Sequence, residues 1–255
     1  MKKFALLTLA SLFLASLAFG ALGDIVASWD LPVSSPRGVA RSNTYIHYVA
    51  YSSPNRVVNL TSTGSFVSSW VCPYTSSNRG LAYSWGGYLW LGNYSNDHVY
   101  QCNWSTGSVY ASWDSDHDPY GIAPYCTGDG GEGTSYIITY DSSPNAAYYH
   151  LPTNGSIVTS TSLADGYSYD MAYDWRNQLL WKYESSPASI YGMNYSTGSL
   201  VASFARPYSG TAYGLAYSGQ YLYIACSNSW MYQVHCPGTV SVKPASMGKV
   251  KAMYH

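Results

Sequence analysis

Charged side chains are scarce in this 255-residue chain, where they make up only 10% of the residues. Lys and Arg number 12 and Asp and Glu 13, which gives a formal net charge of -1. Binding to a nucleic-acid backbone requires a basic excess that neutralises phosphates, and this chain has none. Glutamate occurs only at Glu132 and Glu184, so few carboxylates are present for acid–base chemistry. We therefore expect no nucleic-acid partner.

Several catalytic and metal-binding motifs are absent as well. The chain has no His-Glu-x-x-His, Gly-x-Ser-x-Gly or Gly-x-x-x-x-Gly-Lys-Ser/Thr segment, which removes the usual signatures of zinc proteases, serine hydrolases and P-loop proteins. The five cysteines contain no Cys-x-x-Cys pair, so neither a zinc ribbon nor a redox dithiol is expected. Their odd number leaves at least one thiol outside any intrachain disulfide, and the sequence does not define the pairing.

Tyrosine, by contrast, is abundant. The chain has 28 tyrosines, and 16% of its residues are aromatic and 47% apolar. This is enough apolar material for a core, and it excludes a disordered chain. Aromatic residues favour the half-buried surfaces of pleated strands, so composition alone favours an all-β protein.

The two ends of the chain differ from the rest. Residues 1–23 combine a start of two lysines, an apolar run from Phe4 to Phe19 and small residues before cleavage points after Gly20 or Gly23, which predicts a signal peptide. The run is shorter than a membrane span needs, although a retained anchor is the alternative. We expect the mature chain to be exported, secreted or held at the cell surface, with no membrane span. Residues 238–255 form a basic tail, interpreted as a sorting signal, a docking strand or a solvated end.

A repeat of about 43 residues fills the chain between these ends. One recurring pattern is Gly-apolar-Ala, found at 38–40, 80–82, 121–123, 214–216 and, with Asp in place of Gly, 170–172. A second is a Gly-Ser turn that begins at Gly64, Gly107, Gly155 and Gly198, followed by a strand-like run. Two further strand-like runs lie between these patterns. Four short strands in about 43 residues is the size of one β-propeller blade.

The ring of repeats is complete only if the two ends of the chain form one repeat together. The fifth repeat lacks its outer strand at the C-terminal end, and residues 25–29 match residues 200–204, the outer strand of the fourth repeat. A closed ring leaves no unpaired sheet edges. The sequence therefore predicts an all-β five-bladed propeller of four-stranded antiparallel blades over residues 24–237, with the last blade closed by the N-terminal strand. A β-sandwich or an open array is the alternative.

The repeat consensus, Gly-Leu-Ala-Tyr-x-x-Gly-x-Tyr-Leu-Trp followed by Val-Tyr-x-x-Asn-x-Ser-Thr-Gly-Ser-Val, resembles the secreted propeller repeats of the NHL/YVTN-like superfamily. The resemblance covers nearly all of residues 24–237 and implies the architecture. It implies no particular activity, because that superfamily contains binding proteins, scaffolds and enzymes.

The residues just before each inner strand predict a ligand site at the mouth of the channel. By the repeat symmetry they form a ring, and the polar loop 114–118 enters near the same mouth. Arginine can hold carboxylates and aromatic rings can stack on sugar faces. The candidate ligand-binding residues are Arg37, Arg79, Asp118, Tyr120, Tyr169, Asp170 and Tyr213. The alternative is that they support contacts between blades.

Loop 114–118 contains the other candidate functional residues. Asp114, Asp116 and Asp118 lie at alternate positions along it and are candidate ligands for calcium, the one cofactor that the sequence suggests. The alternative is that the loop is a polar turn.

The leading functional hypothesis is a non-catalytic exported propeller that binds a glycan or a cell-surface protein. One alternative is a lyase or hydrolase acting on an extracellular polymer, with Asp116, His117 and Asp118 as acid–base candidates. Another is a structural surface-layer or filament subunit.

Overall fold

The structure is a computed structural model that describes residues 20–74, 76–164, 167–185 and 188–236. Twenty strands form five four-stranded antiparallel sheets arranged as a ring, which confirms the predicted five-bladed β-propeller. A 3₁₀ turn, Asp129–Gly131, interrupts the strands of the third blade.

Each blade contains an inner strand beside the central channel, two middle strands and an outer strand. Blade 1 contains β2 (Pro36–Arg41), β3 (Tyr45–Ala50), β4 (Arg56–Thr61) and β5 (Phe66–Val71). Blade 2 contains β6 (Asn78–Ser84), β7 (Tyr88–Asn93), β8 (His98–Asn103) and β9 (Val109–Asp114). Blade 3 contains β10 (Gly121–Tyr125), β11 (Tyr136–Asp141), β12 (Ala146–His150) and β13 (Ile157–Ser162). Blade 4 contains β14 (Met171–Asp174), β15 (Leu179–Ser185), β16 (Ala188–Asn194) and β17 (Leu200–Ala205). Blade 5 contains β18 (Ala212–Ser218), β19 (Tyr221–Cys226), β20 (Trp230–His235) and β1 (Ile25–Asp30).

The ring closes through the two ends of the described chain, as the sequence predicts. Strand β1 pairs antiparallel with β20, with Ala27 opposite Gln233 and Asp30 opposite Trp230. Just beyond the strand, the Leu31 N–H donates to the carbonyl of Ser229 at 2.8 Å. The first strand of the chain is therefore the outer strand of the last blade.

Glycine at the start of the inner strands lets neighbouring blades approach each other around the channel. A Cβ atom at Gly38 would collide with the backbone of Arg79 and Gly80 in the next blade. A side chain at Gly214 would meet the backbone of Arg37 in the same way. The recurring Gly of the Gly-apolar-Ala pattern is thus explained by backbone-to-backbone packing, a contact that only glycine allows.

The Gly-Ser turns provide a second repeated contact between blades. Gly64, in the turn before the outer strand of blade 1, lies directly against the indole ring of Trp29 on the outer strand of blade 5. The pairs Gly107 with Trp70 and Gly155 with Trp113 repeat this contact at the next two interfaces. These outer-strand tryptophans therefore belong to the packing between blades.

The hydrophobic core is divided into five clusters, and each lies between two adjacent blades. The cluster between blades 5 and 1, for example, includes Tyr48, Ile46, Ala225 and Met231. All five cysteines are buried and free of disulfide bonds. The propeller is thus held together by packing between sheets, not by covalent links.

Some expectations about the chain ends lie outside the described residues. Residues 1–19 of the predicted signal peptide and residues 237–255, which include the basic tail, are among those not described. Residues 20–24 pack on blade 5, where the Gly23 N–H donates to the carbonyl of His235 at 3.0 Å. Within the described ranges, no helix is long and apolar enough to cross a membrane.

Candidate functional site

One end of the central channel is surrounded by a cluster of arginine and tyrosine side chains. This end, called the mouth, is where the five inner strands begin. Two arginines lie within β2 and β6, and tyrosines lie at or just before the other inner strands and directly after two of the second strands. The mouth cluster consists of Arg37, Arg79, Tyr51, Tyr94, Tyr120, Tyr167, Tyr169 and Tyr213.

Arg79 lies at the centre of three of these tyrosines. Its guanidinium carbon is 4.2 Å from the centroid of the Tyr94 ring, 4.8 Å from that of Tyr120 and 5.4 Å from that of Tyr169. A guanidinium over an aromatic face is stabilised by the negative face of the ring. Rings from blades 2, 3 and 4 therefore hold one positive charge in a defined position at the mouth.

Arg37 has a similar environment on the inner strand of the adjacent blade 1. Its guanidinium carbon lies 4.0 Å from the centroid of the Tyr213 ring and 5.0 Å from that of Tyr51. One Nη atom donates to the neighbouring carbonyl of Pro36 at 3.4 Å. Tyr213 belongs to blade 5, so this arginine also bridges two blades at the rim.

Tyrosine-to-tyrosine contacts join the two arginines into one surface. The rings of Tyr169 and Tyr213 meet edge to face with centroids 4.8 Å apart, and Tyr167 meets Tyr169 in the same way at 4.9 Å. On the other side, Tyr94 stacks on Tyr120 at 5.2 Å with an interplanar angle of 15°. Such edge-to-face and stacked pairs favour fixed ring positions. The mouth is therefore an organised aromatic surface with two cations set in it.

Neither arginine has an acidic partner. Among the described residues, no carboxylate lies within ion-pair distance of Arg37 or Arg79. The Nε atoms of both arginines and one Nη atom of Arg79 are shielded from solvent and have no hydrogen-bond partner in the described part of the chain. A shielded guanidinium donor without a partner is costly. The mouth thus has two positive charges without carboxylate partners among the described residues, and a guanidinium can hold a ligand carboxylate with two parallel hydrogen bonds.

Asp170 lies beneath the mouth cluster, on the channel axis. It occupies the position that is glycine in the other four repeats, and only 1% of its surface is exposed. One carboxylate oxygen accepts from the backbone N–H groups of Leu215, at 2.9 Å, and Val39, at 3.3 Å. The other accepts from the N–H of Ile122 at 3.3 Å. The structure therefore places this candidate ligand-binding residue below the exposed surface, where it joins blades 1, 3 and 5.

The protonation of these groups follows from their surroundings. Burial raises the pKa of Asp170 well above the usual range, and the backbone N–H donors oppose that rise. The pKa of Tyr94 is lowered, first by a hydrogen bond with Ser77 and also by the charge of Arg79. Burial raises the pKa of Tyr167 and Tyr169. These two phenols are therefore neutral at ordinary pH and available as hydrogen-bond donors.

The three aspartates of loop 114–118 form no ion pair with Arg37 or Arg79 in the described part of the chain. The Asp114 carboxylate accepts from the N–H of Asp116 at 3.1 Å, which forms a local turn. Burial first, then a hydrogen bond with Asp118 and the charges of Asp118 and Asp114, raises the pKa of Asp97. In the described ranges, no group of three or more His, Cys, Asp or Glu side chains has an arrangement that could hold a metal ion. The calcium site therefore stays a prediction from the sequence.

His117 is directed into blade 3. Its Nε2 lies 2.6 Å from the hydroxyl of Thr139, which in turn lies 2.7 Å from Nε2 of His150. The His117 ring stacks on Tyr148 with centroids 4.0 Å apart. Burial first, and then the nearby His150, lowers the pKa of His117 to about 4. The ring is therefore neutral at ordinary pH and held within a hydrogen-bonded row of side chains.

The other end of the channel is closed by the glycine-rich segment 128–133. Its Asp129 carboxylate accepts from the Gly219 N–H at 2.6 Å and from Nε1 of Trp175 at 3.0 Å, and it pairs with Arg176 at 3.5 Å. The carbonyl of Gly131 accepts from the Trp85 N–H at 3.3 Å. The segment thus contacts blades 2, 4 and 5 and leaves a cavity of about 30 Å³ in the channel, enough for one or two water molecules. The channel itself is therefore too narrow at this end for a larger ligand.

Sequence reasoning missed three members of the mouth cluster: Tyr51, Tyr94 and Tyr167. Tyr51 directly follows β3 and Tyr94 directly follows β7, so they occupy the same position in their repeats. Because the repeats place both tyrosines at the same position, the sequence could have indicated that both lie at the mouth. No comparable signal marks Tyr167, which reaches the site from the loop before β14.

Comparisons with known proteins identify the fold and no closer relationship. No protein-family pattern matches the chain, and no curated protein sequence matches it. Among solved structures, the chain is similar to glutaminyl cyclase from Myxococcus xanthus, with a TM-score of 0.66 and 10% identity over 84% of this chain and 95% of that one. It is also similar to virginiamycin B lyase from Staphylococcus aureus, with a TM-score of 0.48 and 15% identity over 81% of this chain and 68% of that one.

The chain is therefore a five-bladed β-propeller protein, and the architectural resemblance seen in the repeats is confirmed. At these levels of identity, the similarity defines the fold and leaves the activity to be argued from the site.

Proposed function

We propose that this chain is an exported, non-catalytic propeller that binds an acidic glycan at the mouth. The observation that carries the proposal is the pair of guanidinium groups, Arg37 and Arg79, set among tyrosine rings without an acidic partner in the described part of the chain. A ligand carboxylate would supply the missing acceptor, and the rings would contact the faces of the sugar.

The shape of the channel supports a ligand held at the surface. Asp170 fills the axis below the mouth, and segment 128–133 closes the far end. A ligand would therefore rest on the mouth cluster and not pass through the ring. An extended chain that crosses the mouth could place one acidic sugar at each arginine.

The arrangement of the acid–base candidates favours binding over catalysis. His117 is held against blade 3 by Thr139 and Tyr148. Two tyrosines of the mouth cluster, Tyr167 and Tyr169, have raised pKa values and stay protonated. Tyr167 and Tyr169 are thus suited to donate hydrogen bonds to an anion and not to act as bases at ordinary pH.

A glycan array that pairs uronic-acid and sialic-acid glycans with their neutral counterparts tests the proposal. We expect the wild-type chain to retain acidic glycans selectively and Arg79→Gln to lose them. Arg176→Gln is the matched control, because it removes the same charge at the opposite end of the channel. Selective retention of neutral glycans, or equal binding by Arg79→Gln, would contradict the proposal. Capture of an acidic surface protein that Arg79→Gln abolishes would retain the mouth as the binding face and replace the glycan by a protein.

A further inference from the structure

Three cavities open at the end of the propeller opposite the mouth, in successive clefts between blades. Cleft 1 lies between blades 1 and 2 and has a volume of about 240 Å³. Cleft 2 lies between blades 2 and 3, with about 330 Å³. Cleft 3 lies between blades 3 and 4, with about 190 Å³. None of these three cavities belongs to the arginine–tyrosine surface described above.

The same two repeat positions line all three clefts. The first position is the opening residue of the second strand of one blade: Tyr45, Tyr88 and Tyr136. The second is the residue that follows the third strand of the next blade, or lies one further along: Trp104, Pro152 and Tyr195. The clefts are therefore a repeated feature of the propeller, built by its symmetry, and not three unrelated surface hollows.

Aromatic faces form the walls of the clefts. In cleft 1 the rings of Tyr45 and Trp104 stack with centroids 4.9 Å apart. In cleft 3 Tyr125 lies 5.7 Å from Tyr136 and 5.5 Å from Tyr195, centroid to centroid. Rings packed in this way have fixed positions, and each can offer a ligand only the face that its neighbour does not cover.

Trp85 is shared by clefts 1 and 2 and is the most exposed tryptophan in the described part of the chain. Its side chain is 61% exposed, although an indole ring normally gains free energy from burial. Its backbone N–H donates to the carbonyl of Gly131 at 3.3 Å, which fixes its position against the segment that closes the channel. An exposed indole held between two cavities is a platform for a flat ligand.

The residues that line the three clefts indicate which class of ligand would bind there. Apart from the aromatic rings, the clefts offer hydroxyl and amide groups such as Asn43, Gln101 and Ser160, and none of the described residues that line them is charged. A cavity of about 150 Å³ is large enough for a six-membered ring. Uncharged polar groups beside flat apolar walls complement a pyranose, which has hydroxyls at its edge and apolar C–H faces.

From these observations we infer that the three clefts bind sugar units of a neutral oligosaccharide. These sites are separate from the mouth, take a ligand of different charge, and do not depend on the function proposed for the mouth. A propeller with three such clefts side by side would hold a neutral polysaccharide at several points along its rim, and the multiple contacts would raise the overall affinity.

Titration with cellohexaose, xylohexaose, mannohexaose and maltohexaose, followed by tryptophan fluorescence and calorimetry, tests the inference. At least one of these sugars should bind saturably and shift the emission of Trp85. Trp85→Ala should weaken binding at least tenfold, about 1.4 kcal/mol, and remove the fluorescence change. Phe66→Ala, which replaces another exposed aromatic residue outside the clefts, is the matched control and should bind as the wild type does.

Two further variants separate this inference from the function of the mouth. Tyr195→Ala should weaken binding through cleft 3, whereas Arg79→Gln and added salt should leave neutral-sugar binding unchanged. Absence of saturable binding by every sugar of the panel up to about 10 mM would overturn the inference. Binding that Trp85→Ala and Tyr195→Ala leave intact, or that Arg79→Gln abolishes, would also overturn it.

Discussion

The carboxylate of Asp170 accepts a hydrogen bond from the backbone N–H of Leu215 at 2.9 Å, across the axis of the propeller. The Asp stands where the other four blades have glycine, and its side chain reaches backbone N–H groups of the inner strands of blades 1, 3 and 5. One substitution within the repeat therefore both blocks the channel and links inner strands of different blades.

Replacement of Asp170 by Asn should destabilise the fold. Both carboxylate oxygens accept from buried N–H groups, so the amide NH₂ that Asp170→Asn introduces would face donors and leave at least one of them unsatisfied. We expect the free energy of unfolding to fall by about 2–4 kcal/mol. Urea unfolding followed by circular dichroism measures it, with the exposed Asp30→Asn as the control, expected to change stability by less than about 0.5 kcal/mol. Equal midpoints for the two variants would refute this role for Asp170.

Two glycine substitutions separate the contact between blades from backbone strain. Gly107 and Gly219 have similar positive φ angles of 74° and 71°, but a Cβ at Gly107 would collide with Trp70, whereas nothing lies within 4 Å of one at Gly219. Ala at either position should cost about 1 kcal/mol through φ alone. Gly107→Ala should cost about 1–3 kcal/mol more because of the collision, as measured by urea unfolding. Equal losses of stability in the two variants would show that the contact between Gly107 and Trp70 does not contribute to stability.

Stability should decrease in mild acid because His47 is buried without charge. Burial is the main reason that its pKa is lowered from 6.5 to about 4, and its Nδ1 lies 2.7 Å from the Asn59 side-chain oxygen. Above pH 6.5 both the folded and unfolded states carry a neutral ring. As the pH falls from 6.5 towards 4, the unfolded state binds a proton that the folded state does not, so the folded state loses on the order of 3 kcal/mol.

Urea unfolding across this pH range measures the effect, and His47→Gln should reduce the slope by about one proton. The slope that remains should combine His117 and His150, whose lowered pKa values act in the same direction, with Asp170 and Asp97, whose raised pKa values act in the opposite direction. An unchanged slope in His47→Gln would show that His47 titrates alike in the folded and unfolded states.

The five cysteines should be unreactive in the folded protein. All are buried, and burial raises the pKa of Cys102, Cys126 and Cys226 to about 12, so almost no thiolate forms at ordinary pH. A thiol-reactive dye should label none of them under native conditions and all five in denaturant without reductant. Fewer than five labelled thiols in denaturant would reveal disulfides.

The repeats made the architecture accessible to sequence reasoning. The match between residues 25–29 and 200–204 predicted the closing strand, and β1 does pair with β20. The mouth was predicted only in part. Repeat symmetry predicts that Arg37 and Arg79 lie at the mouth. Their lack of carboxylate partners in the described ranges is a property of the packed structure.

Two features near the axis could not be predicted from the repeat pattern. Asp170 was predicted to lie at the rim, because the pattern does not show that its side chain turns onto the axis. The closure of the far end depends on hydrogen bonds of Asp129 to blades 4 and 5, which join residues far apart in sequence. Both features result from tertiary packing and not from local periodicity.

Calorimetric titration with an oligogalacturonate and with its fully methyl-esterified form tests the central claim about the mouth most directly. The acid form should bind and the ester should not, because esterification removes the charge that the two guanidinium groups would hold. Arg79→Lys keeps a positive charge but loses the two-pronged hydrogen bond, so it should weaken binding of the acid form about tenfold or more. Equal affinity for the acid and ester forms, or wild-type affinity in Arg79→Lys, would contradict the account.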